Sequence, residues 1–220
     1  MFVTTTLLCL PEIEVNPYQL DEHISNIRNH INHVLLRDRD ENHKSIIGYP
    51  KVQFRSYENR LALFGINEGS TLLNDFAFIN QLLELYKTEQ IITDLTTPIN
   101  KIGAKENQTF RYKITDYLPF NEDYYSKWKN INGFVDRMTF LQDELLKKHV
   151  ANFCEDLDYT PKEEITVKLL NFIKRDAKKI KDVNFIRCHV AFETNVQLPE
   201  YIGLGKIKSK GNGVLRYFDE

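Results

Sequence analysis

The chain has 220 residues, 42% of them apolar and 27% charged, which suits one large domain or two of about 110 residues and argues against extended disorder. A net charge of −2 argues against indiscriminate attraction to nucleic acid. The charge is uneven, however: residues 168–220 carry eleven Lys and Arg against six Asp and Glu, while residues 1–167 carry eighteen against twenty-five, so a polyanion site would draw on the C-terminal quarter.

Residues 2–10 are β-branched and apolar and predict a strand rather than a signal peptide, since no basic segment precedes them. Asn16-Pro17 offers an N-cap and a first-turn proline. Leu20, Ile24, Ile27, Ile31 and Val34 then follow at helical spacing. "YPKVQFR" and "RLALFGI" are strand-like runs joined by the polar "SYEN", a hairpin signal. Ser70 is placed to cap a second helix with Leu72, Phe76, Ile79, Leu83 and Tyr86 on its buried face, and "QIITDL" predicts another strand. The order strand, helix, strand, strand, helix, strand is the ferredoxin-like split βαβ pattern.

"TTPINKIGAKENQ" (96–108) is polar, contains Pro and Gly, and reads as a linker. A strand, "TFRYKITDYLP", and a long helical stretch from about Asn121 to Leu157 follow. "EITVKLLNF" is ambiguous by period, and the lysine-rich "IKRDAKKIKD" predicts a solvated turn or short helix. In "NFIRCHVAFETNVQL", Ile186, Cys188, Val190 and Phe192 fall on one strand face, and "GVLRYF" predicts the last strand, with a loop where a second helix would stand. The fold class is α+β: two tandem ferredoxin-like domains, 1–100 and 101–220, the second degenerate.

Cys9, Cys154 and Cys188 are far apart and show no CxxC or Cys/His ligand spacing, which fits a reducing cytoplasm and suggests neither a zinc site nor a disulfide framework. No apolar run approaches the roughly 18 to 20 residues of a membrane span.

Between Gly203 and Gly213 stand four of the chain's nine glycines and three evenly spaced lysines. Glycine permits positive φ and lets backbone N–H groups approach a ligand, and Lys206, Lys208 and Lys210 add cations, so a phosphodiester backbone is the natural target. The alternative is a hairpin turn with solvated lysines. A Walker P-loop is excluded, because GxxxxGK[ST] is absent.

The stretch "TNVQLPEYIGLGKIKSKGNGVLR" resembles the C-terminal signature of the CRISPR precursor-RNA-processing endoribonucleases, the repeat-cleaving members of the repeat-associated RNA-binding superfamily. Gly203, Gly205, Ser209, Gly211 and Gly213 fit that family's GxGxxxSxGxG loop residue by residue. "YPKVQFRSYENRLALFGINEGSTLL" is similar to its N-terminal strand pair, and "YLPFNEDYYSKW" resembles the opening of its second domain.

The resemblance implies two ferredoxin-like folds and metal-independent cleavage within CRISPR repeats. The 2′-OH attacks the adjacent phosphate and leaves a 2′,3′-cyclic phosphate. It implies no metal and no cofactor. The implied partners are the CRISPR repeat transcript and proteins of a CRISPR effector complex, with the chain a monomer or homodimer and no membrane involved.

Such chemistry wants a base, an acid and cations around the phosphate. Relatives place a histidine near the end of the first helix or in the loop after it, where a His-Asn-His-like run is expected after two leucines. Here the loop reads "LLRDRDENHKSIIGYP", with Arg37-Asp38-Arg39 in that place and His43 beyond. His43, His33, Tyr49 and Lys51 form the candidate catalytic set. Arg37, Arg39, Gly203, Gly205, Lys206, Lys208, Ser209, Lys210, Gly211 and Gly213 form the candidate RNA-binding set. His30 shares a helical stripe with His23 and Ile27 and reads as a packing histidine, while Arg55 and Arg60 read as solvated charges. His149 and His189 receive no role. Two other readings stay open: a non-cleaving RNA-binding protein of the same fold, and a ferredoxin-like protein-interaction module.

Overall fold

A computed structural model describes residues 1–16, 19–37, 48–91, 100–105, 107–180 and 183–218. The chain divides into two compact units. One comprises Phe2–Asn100 with Ser209–Gly211; the other comprises Met1, Lys101–Lys208 and Asn212–Glu220.

In the N-terminal unit, β1 (Thr5–Glu14), α1 (Leu20–His30), β2 (Val52–Tyr57), β3 (Arg60–Ile66), α2 (Glu68–Leu73) and α3 (Phe76–Tyr86) follow in chain order. The sheet order is β1-β3-β2, antiparallel throughout, with Leu8 opposite Leu63 and Phe54 opposite the same Leu63. This is a split βαβ: β3 inserts between two strands that α1 connects. Leu8, Leu10, Phe54 and Leu63 face Leu20, Ile24 and Ile27 of α1 and Phe78 and Leu82 of α3. The expected strand at "QIITDL" lies outside the described residues from position 92 onward.

The β2–β3 turn is Glu58-Asn59, both at positive φ (49° and 61°), the type I′ geometry whose twist suits a two-residue hairpin. Gly69 serves a close approach. A Cβ there would stand 1.8 Å from the Lys51 carbonyl oxygen, so glycine alone lets α2 lie against the hairpin.

Three local expectations need correction. Asn16 is not the N-cap of α1: the helix starts at Leu20, and the Asn16 side chain accepts from the Gln19 N–H at 3.1 Å in the turn before it. The helix also ends at His30, leaving Val34 62% exposed in a 3₁₀ turn. Ser70 lies inside α2 and shares a 2.7 Å hydrogen bond with Thr6, while Asp75 caps α3 by accepting from the Phe78 N–H at 2.9 Å. Phe76, in the first turn after that cap, is therefore exposed rather than buried.

The C-terminal unit runs β4 (Phe110–Tyr117), α4 (Glu122–Asn130), α5 (Phe134–Phe140), a π turn (Leu141–Leu146), α6 (Lys147–Glu155), β5 (Val167–Lys174), β6 (Lys178–Ile180), β7 (Val183–Phe185), β8 (Cys188–Thr194) and β9 (Val214–Tyr217). Its sheet order is β9-β4-β8-β5. With β6–β7 set aside as a separate hairpin, that is fourth-first-third-second, the ferredoxin-like order. Residues 195–213 connect the third and fourth strands without a helix. Tyr112, Ile114, Phe192, Leu145, Val150 and Phe153 are buried between sheet and helices.

The single helix expected over 121–157 is broken at Asn132-Gly133, where Gly133 takes φ 89°. "EITVKLLNF" resolves as the strand β5. Within "IKRDAKKIKD", Ile173 and Lys174 end β5 and Lys178–Ile180 forms the strand β6, with Phe185 opposite Lys178, rather than a short helix; residues 181 and 182 lie outside the described residues.

Candidate nucleic-acid interface

The glycine-rich segment divides between the units. In the C-terminal unit it folds back on its own ends: the Leu204 N–H donates to the Gly213 carbonyl at 2.9 Å, and the Gly213 N–H donates to the Asp116 carbonyl at 3.0 Å. The Lys206 N–H donates to the Leu118 carbonyl at 2.9 Å, so the loop is tied to the end of β4. Gly205 (φ 88°) and Gly213 (φ 67°) are required by this packing. A Cβ on the first would stand 2.7 Å from the Tyr117 ring and on the second 1.8 Å from the Leu204 carbonyl oxygen. The loop's own fold thus demands glycine before any ligand is considered.

Lys206 is exposed. Lys208 is half-buried, 4.0 Å from the Asp156 carboxylate, and burial holds its ammonium pKa below the usual value, with Asp156 opposing the shift and Lys206 adding to it. Beneath the loop, Tyr117 and His149 share a 2.6 Å hydrogen bond through Nδ1. Burial, then the charges of Lys208, Lys206 and Lys148, pushes His149 down to about 3, so its ring is neutral at ordinary pH.

A second arrangement holds the loop's far side. Asn212 is buried; its Oδ1 accepts from Lys178 at 2.9 Å and its amide donates to the Ile207 carbonyl at 3.2 Å. The loop is thereby linked to the β6–β7 hairpin. Asp116, at φ 50°, donates its N–H to His189 Nδ1 at 3.3 Å and lies 3.5 Å from the Arg187 guanidinium. Burial lowers the His189 pKa; Asp116 opposes this, and Arg175 and Arg187 add to it.

In the N-terminal unit, Ser209–Gly211 runs parallel to β2, with the Phe54 N–H donating to the Ser209 carbonyl at 2.8 Å. Gly211 (φ 79°) packs on Leu20, and Lys210 stands 3.5 Å from Asp21 in the first turn of α1. His33 lies past the last turn of α1. Lys210 and His33 therefore stand at opposite ends of this helix.

His33 Nδ1 accepts from the Leu35 N–H at 3.2 Å. Its ring hydrogen is then on Nε2. Arg37 is exposed and donates to the Asn32 side-chain oxygen. Tyr49 is 4% exposed, and Lys51 lies 3.7 Å from the Glu68 carboxylate. His43 and Arg39 lie outside the described residues.

His30 is exposed and is not a packing histidine. Arg55 is not a solvated charge: it is 1% exposed and donates to the Phe54 carbonyl at 2.9 Å and to the Gln53 side chain. Among the described residues no three His, Cys, Asp or Glu side chains gather at metal-ligating range.

Comparison with known proteins decides the family. Residues 3–102 match the Cas6b N-terminal domain and residues 104–218 match the Cas6b C-terminal domain. The chain belongs to the Cas6b family. A solved Cas6b structure is similar to it with a TM-score of 0.77 at 21% identity, covering 99% of this chain and 100% of that one. A second, described as the CRISPR RNA processing endoribonuclease Cas6b, has a TM-score of 0.75 at 20% identity, with 99% of this chain and 100% of that one covered. Both share the tandem ferredoxin-like architecture of this Cas6b member. An uncharacterized protein of Methanocaldococcus jannaschii is 30% identical over 114 residues, 51% of this chain and 75% of that protein.

Proposed function

We propose that this Cas6b chain is an endoribonuclease that cuts within the repeats of CRISPR precursor RNA, without a metal ion, to release guide RNAs. The observation that carries the reading is the match of both halves of the chain to the two Cas6b domains. We take the boundary between those domains near residue 100 and the setting as the cytoplasm.

In the reaction the ribose 2′-oxygen forms a bond to the adjacent phosphorus while the bond from phosphorus to the 5′-oxygen breaks. The 2′-OH proton passes to a base, and the leaving 5′-oxygen takes a proton from an acid. His43 and His33 are the candidates for base and acid; because the Nδ1 of His33 accepts from the Leu35 N–H, only its Nε2 is left for a reacting group. Arg37, Arg39 and Lys51 supply charge for the phosphate, and Tyr49, held in the core, positions the segment that carries Lys51 just before β2. Lys206 and Lys208, with the loop spanning Gly203, Gly205, Ser209, Lys210, Gly211 and Gly213, bind the RNA backbone. The product stays bound for delivery to proteins of a CRISPR effector complex.

The second reading is a carrier that binds repeat RNA without cutting it; Arg37-Asp38-Arg39, where relatives carry histidines, favours it. Arginine stays protonated and is a poor base. Single-turnover cleavage of the host's repeat RNA by wild type, His43→Ala and His33→Ala separates the two. The proposal expects cleavage by wild type and a loss of about 10²-fold or more in His43→Ala. Tight binding with no cut by wild type supports the carrier.

A further inference from the structure

The C-terminal unit holds a cavity of about 770 Å³ away from the glycine-rich loop. It lies between the residues that lead into α4 and those that join β5 to the β6–β7 hairpin. That volume is within the range of small-molecule and nucleotide sites.

The lining is mixed in a specific way. Phe120 and Tyr125 supply aromatic faces, their rings 6.0 Å apart, and Phe120 is backed by Trp128 at 5.1 Å. Phe120 is 5% exposed, whereas Tyr125 is 39% exposed and lies near-parallel to Trp128 with 6.4 Å between ring centroids. Phe185 and Asn184 come from β7. Asn121 caps α4 by accepting from the Tyr124 N–H at 2.8 Å, which fixes its side chain and leaves its amide hydrogens for a ligand.

The lining includes the exposed cations Lys174 and Arg175. Its backbone is held: the Arg175 N–H donates to the Arg187 carbonyl at 2.8 Å, and Arg187 Nε donates to the Asp176 carbonyl at 3.3 Å. Glu122 and Asp176 also border the cavity. Their exposed carboxylates accept from the amino and imino hydrogens of a base. Together these groups offer aromatic surface for a flat base, and Lys174 and Arg175 offer cations for its phosphate.

We propose that this cavity receives one unpaired nucleotide of the bound RNA, its base stacked on Tyr125 and its phosphate held by Lys174 and Arg175. Proteins read RNA sequence chiefly from unstacked bases laid on aromatic side chains, and the combination here matches that mode. The inference rests on the RNA-binding reading above. It adds a specificity contact at a site distinct from the glycine-rich loop and from the residues placed around the scissile phosphate.

The test uses the full chain and the host's repeat RNA carrying 2-aminopurine at each position in turn. With wild type, one position loses fluorescence on binding through stacking. Tyr125→Ala removes that loss and weakens binding about 5- to 150-fold, the effect of one base–aromatic stack. Tyr125→Phe retains both. Arg175→Glu, an exposed change that leaves the aromatic wall intact, weakens binding at least tenfold and reads the same cavity should Tyr125→Ala fail to fold. The inference is overturned if wild type binds the RNA while Tyr125→Ala and Arg175→Glu bind as tightly and no position reports a Tyr125-dependent change. If wild type does not bind repeat RNA at all, the functional reading falls and takes this inference with it.

Discussion

The Tyr117 hydroxyl and His149 Nδ1 stand 2.6 Å apart beneath the glycine-rich loop, and the face of the same Tyr117 ring is what a side chain at position 205 would strike. The loop is thus seated on a hydrogen-bonded pair whose imidazole is kept neutral by burial and the nearby lysines. Because burial and three lysines push His149 down to about 3 in the folded chain, the unfolded chain binds the extra proton between that value and 6.5. Stability therefore rises with pH through this window and is lost as pH falls below about 6.5, by up to about 2 kcal/mol at pH 5. Melting curves of wild type and His149→Gln at pH 7.5 and pH 5 check this. The variant is expected to lose less on acidification, and equal losses would remove His149 as the cause.

Gly205→Ala and Gly213→Ala are expected to destabilise the C-terminal unit without RNA present. Both positions combine positive φ with a Cβ clash, at 2.7 and 1.8 Å, and the second clash is with backbone that cannot swing aside. A loss of about 2 to 4 kcal/mol for Gly213→Ala follows from strain of this kind, measured by urea unfolding. Unchanged unfolding midpoints would mean that the loop is not packed as described.

The exposed Lys206 and the half-buried Lys208 are expected to behave differently. Lys206→Ala should leave the melting temperature unchanged, weaken RNA binding at all sequences alike and reduce the salt slope by about 0.7 to 1. Lys208→Ala removes the partner of Asp156 4.0 Å away and should shift the melting temperature as well. Binding titrations across a salt series, beside thermal melts, distinguish them.

Arg55→Ala is expected to cost about 2 to 4 kcal/mol, because it deletes a buried guanidinium and leaves the Gln53 side-chain oxygen without that donor. Arg60→Ala, whose target is an exposed pair with Glu14 at 2.8 Å, should cost no more than about 1 kcal/mol. Chemical denaturation of the two variants side by side tests the contrast.

Much of the fold was legible because it rests on local signals. Alternating apolar residues mark β2 and β8, a continuous apolar run marks β3, and "SYEN" marks the turn that Glu58 and Asn59 make. The break before α3 was also written locally, in Asn74-Asp75, but the apolar spacing on either side of it suggested one continuous helix. The misreading of "IKRDAKKIKD" has a different origin, since Lys178 is held in its hairpin by pairing with Phe185 and by Asn212, thirty-four residues away. Arg55 illustrates the same limit. Its alternation with Phe54 places it on the opposite sheet face, and nothing in the local sequence says that this face is covered. The glycine motif announced its own importance, yet its seat on Tyr117, Leu118 and Asp116 is non-local and emerges only from the folded chain.

The proposed function turns on a metal-free cut that uses the RNA's own 2′-OH. Its most direct test is incubation of the wild-type chain, in EDTA, with the host's repeat RNA and with the same RNA carrying a single 2′-deoxy substitution at the cut position. Attack by the 2′-OH gives cleavage of the first to a 2′,3′-cyclic phosphate and none of the second. Cleavage that needs added Mg²⁺, or that persists on the 2′-deoxy RNA, would contradict it.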